Sequence, residues 1–377
     1  MLQPLVSERP AIVYIDFKSP YAYLAIQPTR ELERELGMRF DWRPFVLDIP
    51  SYLGSARLDE RGEVTEQQRS AEQWAGVKYA YHDCRRYARL QGRTIRGTEK
   101  IWDTHLVATA MLWVRQYGDE TLHRFLDRVF PPFWVRELDV EDEQVIAGLL
   151  DDLDADGPGF LSWAHAEGLA ENAQFQSAAF EAGIFGVPTW VVGEERYFGR
   201  EHLPRIRWHL TGEKGPAPDI ANPLPSPLPE PPPLPDQMYI GVDDSVDSLL
   251  ALPRLMELLA DYDGTVDWIR IAPEEPPAPP PEDDLSRSAM HQRWRARNRA
   301  ADVRRYDTTG TTDESRPGAI DEYLQEHGIK PADDGPAEVV RPALPGIVIL
   351  LGEERFIGRQ HLPLLAARMR RTQGDPR

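Results

Sequence analysis

The chain has 377 residues, enough for two ordinary domains, and carries 43 Lys and Arg against 62 Asp and Glu for a formal net charge of −19. That balance provides neither the basic face a nucleic-acid backbone needs nor one for an anionic membrane surface, so no nucleic acid and no membrane is expected as partner. Cys84 is the single cysteine, which excludes an internal disulfide and any multi-cysteine metal site. The stretch MLQPLVSERPAIVYIDF has no basic start followed by an apolar run. No stretch approaches the roughly 20 apolar residues that span a bilayer, and a cytoplasmic protein is expected.

Residues 11–17 alternate and branch like a strand, and 20–36 have the amphipathic spacing of a helix that stops at Gly37. Between them Ser19 suits the helix N-cap and Pro20 its first turn. A second strand is predicted over 38–46. A helical insertion follows at about 65–183. TEQQ at 65–68 fits a capping box, and Trp74, Val77, Tyr81, Cys84 and Ala88 share one stripe of a helix ending at Gly92. Another helix is expected from Asp103 to 117. The loop GVPT (186–189) leads into strands at 189–192 and 195–198, joined by a turn at Gly193 and Glu194, and a last helix starts near 201. The order β-α-β then β-β-α predicts an α/β, thioredoxin-like fold with a mixed sheet between helices.

Proline at almost every second position of GPAPDIANPLPSPLPEPPPLP (215–235) favours an extended spacer, and APEEPPAPPPEDD (272–284) reads as a second such loop. Across the spacer the sequence repeats. GEERYFGREHLP (193–204) returns as GEERFIGRQHLP (352–363), FDWRP (40–44) as VDWIR (266–270), and YIDFKSPYAYLAIQP (14–28) as YIGVDDSVDSLLALP (239–253). Three matches in one order indicate a duplicated unit. The expected organisation is a first domain over 1–212, a linker over 213–236 and a second, shorter and degenerate thioredoxin-like domain over 237–372, with an insertion at about 285–328. This alignment puts Asp244 where Ser19 sits and Ser245 where Pro20 sits, while Pro345 keeps the proline loop. An acid at the helix start would repel a thiolate, so the second domain reads as retained fold without chemistry. The arginine-rich run 287–305 reads as a solvated helix, with anion binding as the alternative.

Capping alone accounts for Ser19 and Pro20. It does not account for their pairing with GVPT, since in a thioredoxin-like fold the loop before the third strand lies beside the start of the first helix. There the backbone of Val187 can pair with an extended thiol peptide as an added strand. Cys84 reads as a small buried hydrophobe rather than a nucleophile. For Arg43 an ion pair competes with a carboxylate-holding role, and for His105 a capping turn competes with a place in the cleft.

DFKSPYAYLA, FDWRPFVL and GIFGVPTWVVGEERYFGREHLP together resemble the DsbA-like superfamily, and within it the branch of 2-hydroxychromene-2-carboxylate isomerase and kappa-class glutathione transferase. The resemblance covers about residues 10–210. Together with the repeat it gives tandem DsbA-like domains as the expectation, and it implies glutathione as cosubstrate, with no metal expected, and a glutathione-dependent isomerase or transferase acting on a small-molecule electrophile or aromatic carboxylate. Carried over by position, Ser19 matches the serine that hydrogen-bonds the glutathione sulfur. Val187, before Pro188, matches the residue whose backbone grips the cysteinyl part. Arg200 and Glu201 fall where the family binds the γ-glutamyl end with a serine or asparagine followed by aspartate. VLDIPSYLGSARLDE stands in place of a glycine-rich loop bearing lysine and asparagine. Tyr21, Arg43, Trp102 and His105 are candidates for the substrate cleft. Members of the branch pair as dimers, so a homodimer or an intrachain pseudo-dimer is implied. Two other readings stay open. One is a non-catalytic binding module that uses the proline loop. The other is a DsbA-family oxidoreductase by fold, which lacks the cysteine pair for dithiol exchange.

Overall fold

The computed structural model describes residues 2–58, 64–230, 233–271, 280–307, 318–340 and 346–372. The chain forms two compact units that are not continuous in sequence: residues 1–218 with 280–295, and residues 219–279 with 296–377. Residues 280–295, expected within the second domain, therefore fold with the first.

The sheet of the first unit has four strands: β1 (Ile12–Ile15), β2 (Asp41–Pro44), β5 (Thr189–Val192) and β6 (Glu195–Phe198), in the order β2-β1-β5-β6. β1 runs parallel to β2 with Ile12 opposite Asp41, and antiparallel to β5 with Ile12 opposite Val191. As the inner strand it is buried on both faces, which fits its continuous apolar run. Helix α1 (Pro20–Leu36) starts at the Ser19 cap and ends at Gly37, whose φ of +61° suits a left-handed terminus. There the Gly37 N–H donates to the Arg34 carbonyl and the Met38 N–H to that of Glu33, which satisfies carbonyls the helix end would strand.

The insertion departs from its sequence reading in two places. Residues 64–67 form a strand, β4 (Val64–Gln67), paired with β3 (Ala56–Leu58), and the short helix α2 (Ile49–Leu53) precedes them. The capping box lies further on, where Ser70 and Gln73 exchange hydrogen bonds at the start of α3 (Ala71–Leu90). The buried face of α3 consists of Tyr79, Asp83, Cys84, Arg86, Tyr87 and Ala88. It is rotated from the apolar stripe because Asp83 and Arg86 pair with each other at 2.5 Å and so bury as a charged couple. Helices α4 (His105–Val114), α5 (Asp119–Trp134), α6 (Glu143–Asp151), α7 (Gly157–Trp163) and α8 (Leu169–Glu181) complete the insertion, with a π-turn over Ala164–Gly168. Helix α9 (Leu203–Leu210) follows β6 after a turn at Arg200–His202.

In the second unit the sheet has the order β8-β7-β9-β10, formed by β7 (Gln237–Val242), β8 (Thr265–Arg270), β9 (Val348–Leu351) and β10 (Glu354–Ile357). Pairing senses match those of the first sheet, parallel for β7 with β8 and antiparallel for β7 with β9 and for β9 with β10. Helices α10 (Val246–Leu259), α12 (Ala319–Glu326), α13 (Ala337–Val340) and α14 (Leu362–Thr372) belong to it. Helix α11 (Arg287–Tyr306) contributes residues up to Arg295 to the first unit and the remainder to the second.

The sheet register sets a different correspondence between the two units from that of the sequence match. Ile12 stands opposite Asp41 and Val191, and Tyr239 stands opposite Asp267 and Leu350. Ile12 therefore corresponds to Tyr239, and Asp16 to Asp243. The sequence match had set Tyr14 on Tyr239, but ladder hydrogen bonds to two neighbours fix the register more firmly than one shared tyrosine. The following turn is one residue shorter in the second unit, so the cap of α10 is Ser245 and not Asp244.

Candidate active site

The turn between β1 and α1 is organised by a buried carboxylate. Asp16 accepts the Leu47 N–H at 2.7 Å, the Thr104 hydroxyl at 2.7 Å and the Lys18 N–H at 3.4 Å. The Lys18 ammonium lies 3.8 Å from it and donates to the Trp102 carbonyl at 3.2 Å. Asp16 thereby joins the turn to the chain leaving β2 and to the start of α4. Its carbonyl also accepts the Ser19 N–H at 3.1 Å.

Ser19 is 5 % exposed. Its oxygen accepts the Ala22 N–H at 3.2 Å, as an N-cap does. Its hydroxyl donates to the Val187 carbonyl at 3.4 Å, a long bond. The Val187–Pro188 peptide bond is cis, and both residues are buried beside the cap. The expected juxtaposition of Ser19 with the GVPT loop is thus present, at the positive end of a 17-residue helix. Gly186 lets the loop close, because a Cβ there would come within 2.6 Å of the Phe198 ring.

Next to this turn, Arg200 is 2 % exposed. Its guanidinium lies 5.2 Å from the Tyr21 ring centroid, 4.6 Å from that of Tyr87 and 3.8 Å from the Asp83 carboxylate. Burial works against its charge, but Asp83, Cys84, Tyr87 and Tyr21 outweigh it and hold Arg200 protonated above its ordinary range. Burial pushes the Tyr21 phenol and the Cys84 thiol well up, with Asp83 adding to both and Arg200 opposing. Cys84 is consequently a neutral, packed thiol. Glu201 folds back so that its carboxylate occupies the space a Cβ on Gly199 would need.

Other candidates lie elsewhere. Arg43 is 1 % exposed and spends its donors on Asp41, at 2.5 Å and 3.0 Å, and on the carbonyls of Gln3, Pro4 and Val6. It anchors the N-terminal segment and has no donor left for a substrate carboxylate. His105 is exposed, with Nδ1 2.6 Å from the Asp103 carboxylate, and forms the first turn of α4 rather than a cleft wall. Trp102 reaches the turn through its backbone carbonyl, while its ring packs edge-on against Phe133 and under Lys100. Sequence reasoning missed Asp16, Lys18 and Thr104. For Asp16 a signal existed, an acid directly after an apolar strand.

In the second unit Asp243 takes the place of Asp16. It accepts the Ser245 N–H and hydroxyl, the Ser248 hydroxyl and the Gly346 N–H. Burial alone would raise its pKa, but these four donors bring it below the usual carboxylate range. Pro345 lies outside the described residues. Among the described residues no group of three or more His, Cys, Asp or Glu is gathered for a metal ion, and no helix is long and apolar enough to cross a membrane.

Residues 11–211 match the family described as DSBA-like thioredoxin domain. A 2-hydroxychromene-2-carboxylate isomerase of Sphingobium xenophagum is 22 % identical over 204 residues, covering 52 % of this chain and 95 % of that protein. Among solved structures, a 2-hydroxychromene-2-carboxylate isomerase is 22 % identical with a TM-score of 0.40, over 51 % of this chain and 90 % of its own. A probable DsbA oxidoreductase from Streptomyces coelicolor is 17 % identical with a TM-score of 0.41, over 56 % and 93 % of the two chains.

Proposed function

The chain belongs to the DSBA-like thioredoxin domain family, and from that premise we propose that its first unit is a glutathione-dependent enzyme of isomerase or transferase type. The observation that carries this reading is the Ser19 hydroxyl, held at the N-terminus of α1 with only the long bond to the Val187 carbonyl to give up. A thiol placed there meets a hydroxyl donor and the positive end of a helix, both of which favour the thiolate. The Val187 backbone takes the peptide part of glutathione as an added strand. Arg200 leaves Nε and Nη2 without a hydrogen-bond acceptor, donors suited to an anionic end of the ligand.

In this reading the glutathione sulfur, and not a protein atom, is the nucleophile. Its electron pair forms a C–S bond with an electrophilic carbon, and the displaced π electrons move onto the substrate. Rotation and expulsion of the thiolate then give isomerisation. Loss of a leaving group with its electron pair gives transfer instead. The substrate is a small electrophile. With Arg43 committed to Asp41, recognition of a substrate carboxylate through that arginine is not supported.

A second reading, a binding module without chemistry, is favoured by the burial of Ser19 and by the inward turn of Arg200 and Glu201. Dithiol exchange has no support, since the one cysteine is buried on α3. The second unit is read as a degenerate copy of the first, on its matching strand order and on Arg359. Like Arg200, Arg359 follows a glycine turn and lies over a helical tyrosine, 5.3 Å from Tyr306.

Calorimetric titration of reduced glutathione into the wild-type protein and Ser19→Ala, near neutral and at higher pH, tests the proposal. Binding that releases a proton and weakens at least tenfold in the alanine variant is expected. Absence of heat in both proteins would leave Ser19 as a helix cap and the binding module as the surviving reading.

A further inference from the structure

Residues 280–295 come from beyond the proline-rich stretch yet fold with the first unit. The segment is braced before it touches anything else. Asp284 accepts the Ser286 N–H at 2.9 Å, Ser286 Oγ accepts the Ala289 N–H at 3.3 Å, and Arg293 donates to the carbonyls of Pro281 and Asp284 at 2.6 and 2.7 Å. From this base three side chains reach out. Arg287 pairs with Asp48 at 3.1 Å and lies 4.2 Å from the Phe180 ring centroid. His291 stacks on Tyr52, with centroids 4.2 Å apart and planes 7° off parallel, and meets Phe185 edge-on at 5.5 Å. The Trp294 ring lies against Gly183, where a Cβ would come within 3.2 Å of it.

Every one of these contacts falls on one of two segments, the first including the short helix α2 and the second beginning at the end of α8. Asp48 and Tyr52 belong to the chain leaving β2, which Leu47 ties to Asp16. Phe180, Gly183 and Phe185 belong to the chain that runs into Val187. These two segments flank the Ser19 cap, and His291 touches both.

We propose that residues 284–295 are a clasp completing the Ser19 cleft, with His291 as the positioning residue that holds the 47–53 and 183–188 loops at one spacing. The thiol-binding role of Val187 is the reading this rests on. A peptide-like thiol added beside Val187 needs that backbone already extended and fixed, and fixing it in advance removes an ordering cost from binding. The arrangement makes the first unit's site depend on a segment encoded some hundred residues downstream.

The test uses the full-length chain with His291→Ala, His291→Phe and Arg287→Ala. Two readouts are taken, backbone hydrogen exchange by mass spectrometry and titration of reduced glutathione. In His291→Ala, amides of residues 47–53 and 183–192 should exchange about tenfold faster while those of α5 and β1 do not, and glutathione affinity should fall about tenfold. His291→Phe keeps the ring on Tyr52 and against Phe185, and should recover most of both effects. Arg287→Ala should loosen the 47–53 segment through Asp48 and the end of α8 at Phe180 while His291 still holds Phe185, which keeps the proposal testable if His291→Ala fails to fold. Unchanged exchange in both loops, or faster exchange spread evenly over the first unit, would overturn the clasp. Faster exchange in the loops with undiminished glutathione affinity would overturn the positioning role. If the loops respond as expected and the wild-type protein binds no glutathione, the clasp stands and the thiol reading falls.

Discussion

The hydroxyl of Ser245 lies 2.5 Å from the carboxylate of Asp243 and donates to it. Its counterpart Ser19 faces the Val187 carbonyl at 3.4 Å, because Asp16 is already occupied by Leu47, Thr104 and Lys18. Two serines at equivalent helix caps thus differ in what their hydroxyls are free to do. One is locked to a charge, and the other can exchange a weak acceptor for a better one.

This difference predicts an asymmetry between two alanine variants. Each loses an N-cap, worth about 1 kcal/mol in its own unit. Ser19→Ala alone should weaken glutathione binding, and Ser245→Ala should leave it unchanged. Denaturation curves followed beside the titrations separate the two effects. An equal loss of affinity in both variants would mean that capping, not the hydroxyl, is what the ligand senses.

Elements with strong local signals were legible in the sequence. α1, with a serine cap, a proline first turn and a glycine stop, stands where expected, as do the two strands around Gly193. The juxtaposition of Ser19 with Val187 was legible because two separated motifs implied it. What was not legible depends on partners distant in sequence. For Arg43 the sequence leaves an ion pair and a carboxylate-holding role side by side, and it takes the N-terminal carbonyls, distant in sequence, to show that all its donors are consumed. The face of α3 was misjudged because a buried Asp83–Arg86 pair has no apolar signature. The role of His291 is unreadable without the loops it touches.

Asp16 should be among the most costly polar residues of the first unit to remove. Asp16→Ala strands the Leu47 N–H and the Thr104 hydroxyl in the interior, and leaves Lys18 without its nearby charge. A loss of about 3 kcal/mol is expected, read as a lower urea midpoint with an unchanged slope. Asp16→Asn keeps an acceptor oxygen and should lose about half as much. A loss below about 1 kcal/mol in the alanine variant would contradict the central place given to this carboxylate.

Arg43→Ala removes one partner of a buried ion pair and three carbonyl contacts at once. The cost should be about 3 to 5 kcal/mol, most of it from leaving Asp41 with only Arg115 and Ser7 as partners. Residues 3–6 should then become susceptible to limited proteolysis, while glutathione affinity stays within about twofold of the wild-type value because Arg43 lies away from Ser19. Loss of binding with an intact N-terminal segment would return Arg43 to the cleft.

Two histidines set the expected response to acid. Burial lowers the pKa of His123 to about 4, with Arg30 and Arg39 adding to the shift. Burial likewise lowers that of His291 to about 4, with Arg295 and Arg287 adding while Asp48 and the Phe185 backbone oppose. Each is therefore below its unfolded value of about 6.5, so between pH 6.5 and 4 the unfolded chain binds the proton first. Stability contributed by the neutral imidazoles is present above about 6.5 and drains away as the pH falls through that window, by up to about 3 kcal/mol for each. Glu33, beside His123 at 3.6 Å, has a carboxyl raised by burial against the hydrogen bonds it accepts from Phe40 and Trp42, and it gains stability on protonation in the same direction. It therefore offsets part of the loss. Urea midpoints measured at pH 7 and pH 5 should drop in the wild-type protein and drop less in His123→Gln with His291→Gln. Equal drops in the wild-type protein and the double variant would show that neither imidazole is kept neutral by the fold.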